Sequence, residues 1–503
     1  MIEGTIAAAW DGLQLVFAWP NVAYPIAGTL LAMSVALMPG ISGVTLMALA
    51  LPFTLSWQPL EVVLLFGGLV GGATYMGSVT AILFNVPGTG PSAATLLDGY
   101  PLARQGQART ALGCAALSSA LGSTFGIVVL IALVPVLAGA ILVFGPPELL
   151  VLLLWGLATI ACVTRGRPLR GLAAAGIGLL LSFAGQDART GELRFTLGTT
   201  YLWDGVGVVP AMLGLFSIAE MLDLGGSGRR TIAGGAGRHA LSGSVRDGAL
   251  AVFRHLGLFT RSALIGTFVG IVPGVGGTVA SFMAYAHAVQ TARDRSRFGQ
   301  GDIRGVIAPE AAHDAKDGGA LVPVLAFGIP GSDATAVLLA ALTLHGLAPG
   351  RELMTDGLPL VFALIWSLFL SNWLTSIAGL LLARPLARLT TVRLDILVPI
   401  VLAVTVVGAF ADQQRLGDVV VAVLFGLGGY YMKKHGWPRM PLVVALLVGA
   451  GIERNLHITV RLIELGRIDL GARPALGLLV VLTLLTLALP RLRTAPAADE
   501  ARV

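Results

Sequence analysis

Two Pro-Gly phrases, each set inside apolar sequence and followed by small and hydroxyl residues, occur in the first half of the chain, and both recur in the second. One pair is Met38-Pro39-Gly40-Ile41-Ser42-Gly43-Val44-Thr45 and Val272-Pro273-Gly274-Val275-Gly276-Gly277-Thr278-Val279. The other is Phe84-Asn85-Val86-Pro87-Gly88-Thr89-Gly90-Pro91-Ser92 and Phe327-Gly328-Ile329-Pro330-Gly331-Ser332-Asp333-Ala334-Thr335. Proline removes a backbone donor and glycine admits positive φ, so each phrase should break a helix at a depth where lipid cannot satisfy the freed backbone groups. Matched breaks in two halves point to the binding site of a transporter.

The surrounding sequence puts those breaks in a membrane. Hydrophobic residues make up 55% of the chain and charged residues 12%, with a mean hydropathy of +0.84, and apolar runs of spanning length recur from end to end. The runs are long and rich in Leu, Ala, Val and Gly rather than short and alternating, which predicts an all-α polytopic membrane protein and not a barrel. The start, Met1-Ile2-Glu3-Gly4, lacks the basic region of a cleavable signal, so the first helices are expected to direct insertion and the mature chain to be the whole chain. The net charge of +6 comes from basic residues in short loops between spans, where the positive-inside rule explains them without nucleic acid. Cys114 and Cys162 lie within predicted spans with no CxxC spacing, so neither a disulfide, a structural metal nor a cofactor is expected.

Loop charges also give orientation. Arg104 and Arg109, then Arg165, Arg167 and Arg170, then Arg229, Arg230, Arg238 and Arg246 read as cytoplasmic; the balanced loop with Asp187, Arg189, Glu192 and Arg194 reads as external. In the second half Arg384, Arg388 and Arg393, then Lys433, Lys434 and Arg439, then Arg491 and Arg493 mark the inside. Asp412 to Asp418 and Glu453 to Asp469 fall outside by alternation. The segment leaving the Pro87 phrase thus emerges inside at Arg104, whereas the segment leaving the Pro330 phrase emerges outside at Gly350-Arg351-Glu352. The halves therefore have opposite topology. About four spans follow in each (109–144, 147–163, 168–184 and 203–223, against 360–382, 395–411, 417–432 and 440–454), as an inverted repeat requires. The expected layout is a first transmembrane repeat over 1–224, a cytoplasmic connector over 225–250 and a second repeat over 251–455. Residues 456–503 add a C-terminal helix near 473–489 and a cytoplasmic tail.

A helix beginning just after a Pro-Gly turn presents unpaired N–H groups and the positive end of its dipole, and a carboxylate suits both. The expected substrate-binding residues are Gly40, Ser42, Gly43, Asn85, Pro87, Gly88, Thr89 and Ser92 in the first half. Their counterparts in the second are Gly274, Gly276, Gly277, Thr278, Pro330, Gly331, Ser332 and Thr335. Thr45 and Thr95 add hydroxyl donors, and carbonyls released at the breaks suit a coupling cation. Against this stands the plainer possibility of packing kinks with hydroxyls bonded back to their own helices. Four carboxylates are candidates for ion coupling. Asp98, before Gly99, reads otherwise as a turn former and Asp333 as a helix cap. Glu310 and Asp314, with His313, read as a solvated loop on the approach to the Pro330 phrase, with a place on an entry path as the sharper alternative.

Longer ordered phrases resemble a known family. The run from Gly68 to Leu112, with Asn85-Val86-Pro87-Gly88-Thr89 and Leu97-Asp98-Gly99-Tyr100-Pro101-Leu102-Ala103-Arg104-Gln105-Gly106, is similar to the large membrane subunit of the tripartite tricarboxylate transporter family. So are Gly270-Ile271-Val272-Pro273-Gly274, Ala308-Pro309-Glu310-Ala311-Ala312, Gly318-Gly319-Ala320-Leu321-Val322-Pro323 and Gly328-Ile329-Pro330-Gly331-Ser332. The resemblance implies a multi-pass permease of the bacterial inner membrane that imports a tricarboxylate, dicarboxylate or aromatic carboxylate. Its implied partners are a periplasmic solute-binding protein and a small four-helix membrane subunit, and its implied driving force is a sodium or proton gradient. Where family members commonly carry Ala-Asn-Asn-Ala, this chain has Ala312-His313-Asp314-Ala315, which adds titratable groups beside the expected path.

Two other classes compete. A passive organic-anion channel or exporter would need neither binding protein nor gradient. Gly40-Ile41-Ser42-Gly43 matches the Gly-x-Ser-Gly of intramembrane serine proteases, but the equivalent position in the second half is Gly276, so the repeat accounts for the phrase without a nucleophile and no catalytic residue is expected.

Overall fold

Helix after helix is built from apolar sequence punctuated by Pro and Gly, and the punctuation decides where each one stops. The computed structural model describes residues 2–36, 43–85, 87–163, 168–187, 190–226, 243–386, 394–471 and 473–492. Outside these lie Gly40, Ser42, Arg165, Arg167, Arg189, Arg388, Arg393 and Arg493, and with them Arg229, Arg230 and Arg238 in the expected connector.

The first half contains α1 (Ile2–Phe17), α2 (Ala23–Ala36), α3 (Gly43–Ala50), α4 (Pro59–Gly72), α5 (Thr74–Phe84), α6 (Ser92–Leu102), α7 (Ala108–Val143), α8 (Pro146–Val163) and α9 (Pro168–Ser182). A short antiparallel hairpin, β1 (Gly185–Gln186) and β2 (Leu193–Arg194), leads to α10 (Val208–Met212) and, through one wide turn, to α11 (Ala219–Gly226). The second half contains α12 (Val245–Arg254), α13 (Leu256–Ile271), α14 (Gly276–Thr291), α15 (Arg304–Phe327), α16 (Asp333–Leu344), α17 (Arg351–Thr355), α18 (Leu358–Leu386), α19 (Leu394–Gln413), α20 (Leu416–Lys434) and α21 (Met440–Glu464). The last helix is α22 (Pro474–Leu492). Among the described residues seven helices are long and apolar enough to cross a bilayer, so the chain is an all-α, multi-pass membrane protein.

Helices end at three of the four phrases, and Pro39 and Gly40 of the fourth lie outside the described residues. After α5, Asn85 takes φ 56°, and after α15, Gly328 takes φ 66°; each is the left-handed residue that closes a helix, one place before x-Pro-Gly. At the second of these, Ile329 N–H closes the turn on Pro323 O at 3.1 Å. After α13, Gly274 takes φ 77° and donates its N–H to Gly331 O at 3.2 Å, so the two phrases of the second half meet through backbone.

Packing partners repeat with the halves exchanged. α4 packs on α2 and α18 as α15 packs on α13 and α7; α1 lies on α18 as α12 lies on α7; α6 meets α14 as α16 meets α3. Glycine makes the close approaches possible. A Cβ on Gly266 would stand 2.6 Å from the Ala312 Cα, and one on Gly126 would stand 3.0 Å from the Ala315 Cα, so α15 lies directly against α13 and α7.

Charged groups collect at the two ends of the bundle. Arg194 pairs with Asp187 at 3.1 Å and Glu453 at 2.7 Å, Arg415 pairs with Asp204 at 2.7 Å, and Tyr201 donates to Asp418 at 2.7 Å. At the other end Lys433 pairs with Glu220 at 2.6 Å and Asp223 at 2.7 Å, and Arg170 donates to His435 O at 2.6 Å. Asp187, Arg194, Arg415, Asp418 and Glu453, which loop charge assigns to one side, fall in the first set, and Arg170 and Lys433, which it assigns to the other, fall in the second.

Candidate functional site

Helix α15 carries more buried ionisable residues than any other described helix. Of its 24 residues, every one from Gly305 to Ala326 is buried, including Glu310, His313, Asp314, Lys316 and Asp317. This corrects the solvated-loop reading of Glu310, His313 and Asp314: Pro309 and Gly318-Gly319 sit inside a helix held by its neighbours. Charges are tolerated there because partners reach them from the first half. Glu310 Oε1 accepts from Ser78 of α5 at 2.6 Å and from Thr95 of α6, while Asp314 Oδ2 accepts from Ser119 of α7. Lys316 and Asp317 pair with each other. Glu310 Oε2, His313 Nδ1, Asp314 Oδ1 and Asp317 Oδ2 have no hydrogen-bond partner among the described residues.

Asp98 is not in a turn. It lies in α6, fully buried, where Oδ1 accepts from the backbone N–H of Gly301 at 2.9 Å and of Asp302 at 2.8 Å, and Oδ2 accepts from the Tyr285 hydroxyl at 2.9 Å. It therefore clamps the loop between α14 and α15 to the first half. In that loop burial pushes the Asp302 carboxyl up, but its hydrogen bonds with Arg304 and the Arg304 charge outweigh burial and hold it below the usual carboxylate range. Asp333 is exposed at the first position of α16, and the cap expected of it is supplied by Ser332.

The phrases come together unevenly. Gly90 faces Thr278, with the Thr278 Cβ 3.8 Å from where a Gly90 Cβ would stand, and a Cβ on Gly277 would stand 2.9 Å from the Pro91 Cγ and 2.8 Å from the Lys316 Cε. The N-termini of α6 and α14 thus converge across the two halves, beside Lys316 and His313. Gly88 donates its N–H to Gly77 O at 3.2 Å, and Gly331 lies against Gly270 and Ala320. Asn85 and Pro87 are exposed, Pro330 is buried, and Gly276 and Gly43 are half-buried.

Several hydroxyls take the plainer role. Ser92 Oγ accepts from Thr89 N–H at 3.1 Å and donates to Thr89 O at 2.8 Å, and Ser332 and Thr335 close a reciprocal cap on α16. Thr89 Oγ1 is buried without a partner among the described residues. Gly40 and Ser42 are outside the described residues, so of the Gly-x-Ser-Gly stretch only Gly43 is placed. An apolar crevice lined by Val63, Leu325, Leu342 and Leu364 offers no polar group.

Ser78, Ser119 and Tyr285, which complete the buried network, were not singled out from the sequence. The Glu310-x-x-His313-Asp314 spacing, which one helical turn brings together, was the available signal.

The fold and the broken helices define a multi-pass α-helical membrane protein with polar groups buried between its halves. The Tripartite tricarboxylate transporter TctA family profile matches residues 22–444, and the chain belongs to that family. It is 31% identical over 448 residues to an uncharacterised 52.8 kDa protein in the TAR-I ttuC' 3' region of Agrobacterium vitis, covering 89% of this chain and 88% of that one. A second uncharacterised Agrobacterium vitis protein, in the TAR-II ttuC' 3' region, is 28% identical over 192 residues, 38% of this chain and 79% of that one. No solved structure matches the chain.

Proposed function

We propose that the chain is the large permease subunit of a binding-protein-dependent secondary transporter that imports a carboxylated solute across the bacterial inner membrane. A periplasmic binding protein delivers the solute and a small four-helix subunit accompanies the permease, as the family's tripartite character supports. The observation that carries the reading is the convergence of the α6 and α14 N-termini at Gly90, Pro91, Gly277 and Thr278. Two positive dipole ends favour an anion.

The packing partners that exchange between halves support two inverted repeats, close to 1–224 and 251–455, with alternating access around a site made from both. Uptake is driven by a sodium or proton gradient. Of the four carboxylates considered for coupling, Glu310 and Asp314 each keep a buried oxygen without a partner among the described residues, whereas Asp98 accepts three hydrogen bonds and Asp333 is exposed. The test is uptake of labelled di-, tri- and aromatic carboxylates into proteoliposomes holding this chain and its small partner. The binding protein is added or omitted, and sodium and proton gradients are imposed separately. Accumulation that needs the binding protein and one gradient is the expected result. Equilibration without either refutes the carrier and makes the protein a channel.

A further inference from the structure

Two of the buried carboxyl groups of α15 have no cationic partner among the described residues. Lys316 and Asp317 neutralise one another as a pair, and no cationic side chain among the described residues forms an ion pair with Glu310 or Asp314. Two carboxylates with no exposed surface therefore stand one helical turn apart, each accepting hydroxyl hydrogen bonds on one oxygen and leaving the other without a partner. Hydroxyl donors reduce the penalty of burying a carboxylate but do not cancel its charge.

His313 lies between them, 3% exposed, with Nδ1 also lacking a partner among the described residues. One ligand atom from each of Glu310, His313 and Asp314 falls within 4.8 Å of the others. The three atoms share one site because positions i, i+3 and i+4 lie on one face of a helix. We propose that Glu310, His313 and Asp314 form a binding site for a divalent cation of the Mn2+, Fe2+, Co2+ or Zn2+ type.

Charge and donor type both select that class. A divalent ion displaces the carboxyl protons on binding, and the two carboxylates then supply the charge that neutralises it. The imidazole nitrogen is a good ligand for borderline transition ions, whereas hard cations take oxygen ligands. Ser78, Thr95 and Ser119 are the second layer: each hydroxyl fixes one carboxylate oxygen and leaves the other without a partner among the described residues. Those hydroxyls belong to α5, α6 and α7, so a bound ion would fasten α15 to the first half of the chain. The site does not depend on which solute is carried, and an ion held there leaves the coupling of uptake to groups other than Glu310 and Asp314.

The test uses the full-length chain purified in detergent through a tag without histidine. The protein is stripped with EDTA, exposed to Mn2+ or Zn2+, desalted, and its metal content measured by mass spectrometry, with Mn2+ paramagnetic resonance as a second readout. About one ion per chain is expected, with affinity falling roughly tenfold or more in His313→Asn and Asp314→Asn. Melting temperature should rise with added metal in the native chain and not in either variant. The double variant carries the Asn-Asn pair of the family pattern and serves as the folding control. Equal retention by the native chain and the double variant, or no retention by either, overturns the proposal. Carboxylate uptake is scored separately: retained metal without uptake rejects the transport reading and leaves the site standing, and uptake without retained metal does the reverse.

Discussion

Replacing Asp98 separates a clamp from a coupling group. The side chain is fully buried and accepts three hydrogen bonds, two from backbone N–H groups of Gly301 and Asp302 and one from Tyr285. A hydrogen bond to a charged acceptor contributes about 1.5–3 kcal/mol net. The three cannot simply be added, because the 292–303 loop relaxes once its anchor is gone. Asp98→Ala should therefore destabilise the protein by on the order of 3–5 kcal/mol, the range for breaking a buried charged interaction.

Asp98→Asn is the discriminating variant. It keeps one acceptor oxygen for the two backbone donors and offers an amide that the Tyr285 oxygen can accept, so the loss should be about 1–2 kcal/mol, the difference between charge-assisted and neutral bonds. Stability can be followed in detergent by a thiol-reactive dye in a Cys162→Ser background, because Cys114 is buried whereas Cys162 is only half-buried. Uptake per inserted molecule is measured alongside. If Asp98 is a clamp, the Asn variant transports at a substantial fraction of the native rate and the Ala variant melts early. A normally melting Ala variant would refute the clamp, and a normally melting Asn variant without uptake would return Asp98 to the coupling role.

Three further outcomes follow from the geometry. A Cβ at position 88 would stand 2.6 Å from Ala36 O and 2.7 Å from the Gly77 Cα, so Gly88→Val should overpack by about 1–3 kcal/mol and abolish uptake while the protein still reaches the membrane; normal transport would argue against a site at the phrase. At Gly331 the nearest contact would be Gly270 O at 2.9 Å, so Gly331→Ala should be milder than Gly88→Ala in melting temperature, and the opposite order would contradict the packing described. Asp302 titrates below the usual range in the folded protein, so its stabilising contribution is present above its unfolded value, about pH 4, and is lost as pH falls through the folded value. Melting temperature should drop on acidification in the native chain and drop less in Arg304→Met; identical acid profiles would show that the pair is not responsible.

What the sequence reveals follows a physical line. Helices, spans and the breaks at Asn85, Gly274 and Gly328 are local properties of apolar runs, Pro and Gly, and all can be read without the fold. The class and family are equally local. Helix α15 is different, because Pro309, Pro323, a Gly pair and five ionisable residues between 310 and 317 all argue against a buried helix when taken alone. What makes it possible is distant: Ser78, Thr95 and Ser119 lie 232, 215 and 195 residues from the carboxylates they meet. Asp98 reads as a turn former for the same reason, since its backbone partners are 203 and 204 residues away. Short-range rules assign such groups to water.

The same long-range bonds decide how the halves can move. α6 meets α14, Glu310 is bonded to α5 and α6, and Asp98 holds the loop before α15, so the helices flanking the Pro87 and Pro273 phrases are tied across the halves. α8, α9, α21 and α22 pack among themselves, as do α10, α11, α19 and α20. Alternating access is then expected to carry the tied helices as one body against the others, in an elevator-like motion, rather than to open a cleft between α6 and α14. A Gly90→Cys, Thr278→Cys pair tests this, because the Cβ separation of 3.8 Å matches disulfide geometry. Oxidation should protect both thiols from maleimide and leave the exchange between outward- and inward-facing states running even where it blocks solute binding at the site, since the cross-link joins groups that travel together. Arrest on oxidation, reversed by reductant and with solute binding intact, would mean that α6 and α14 must separate during the cycle, and the motion would be a rocking of one half on the other.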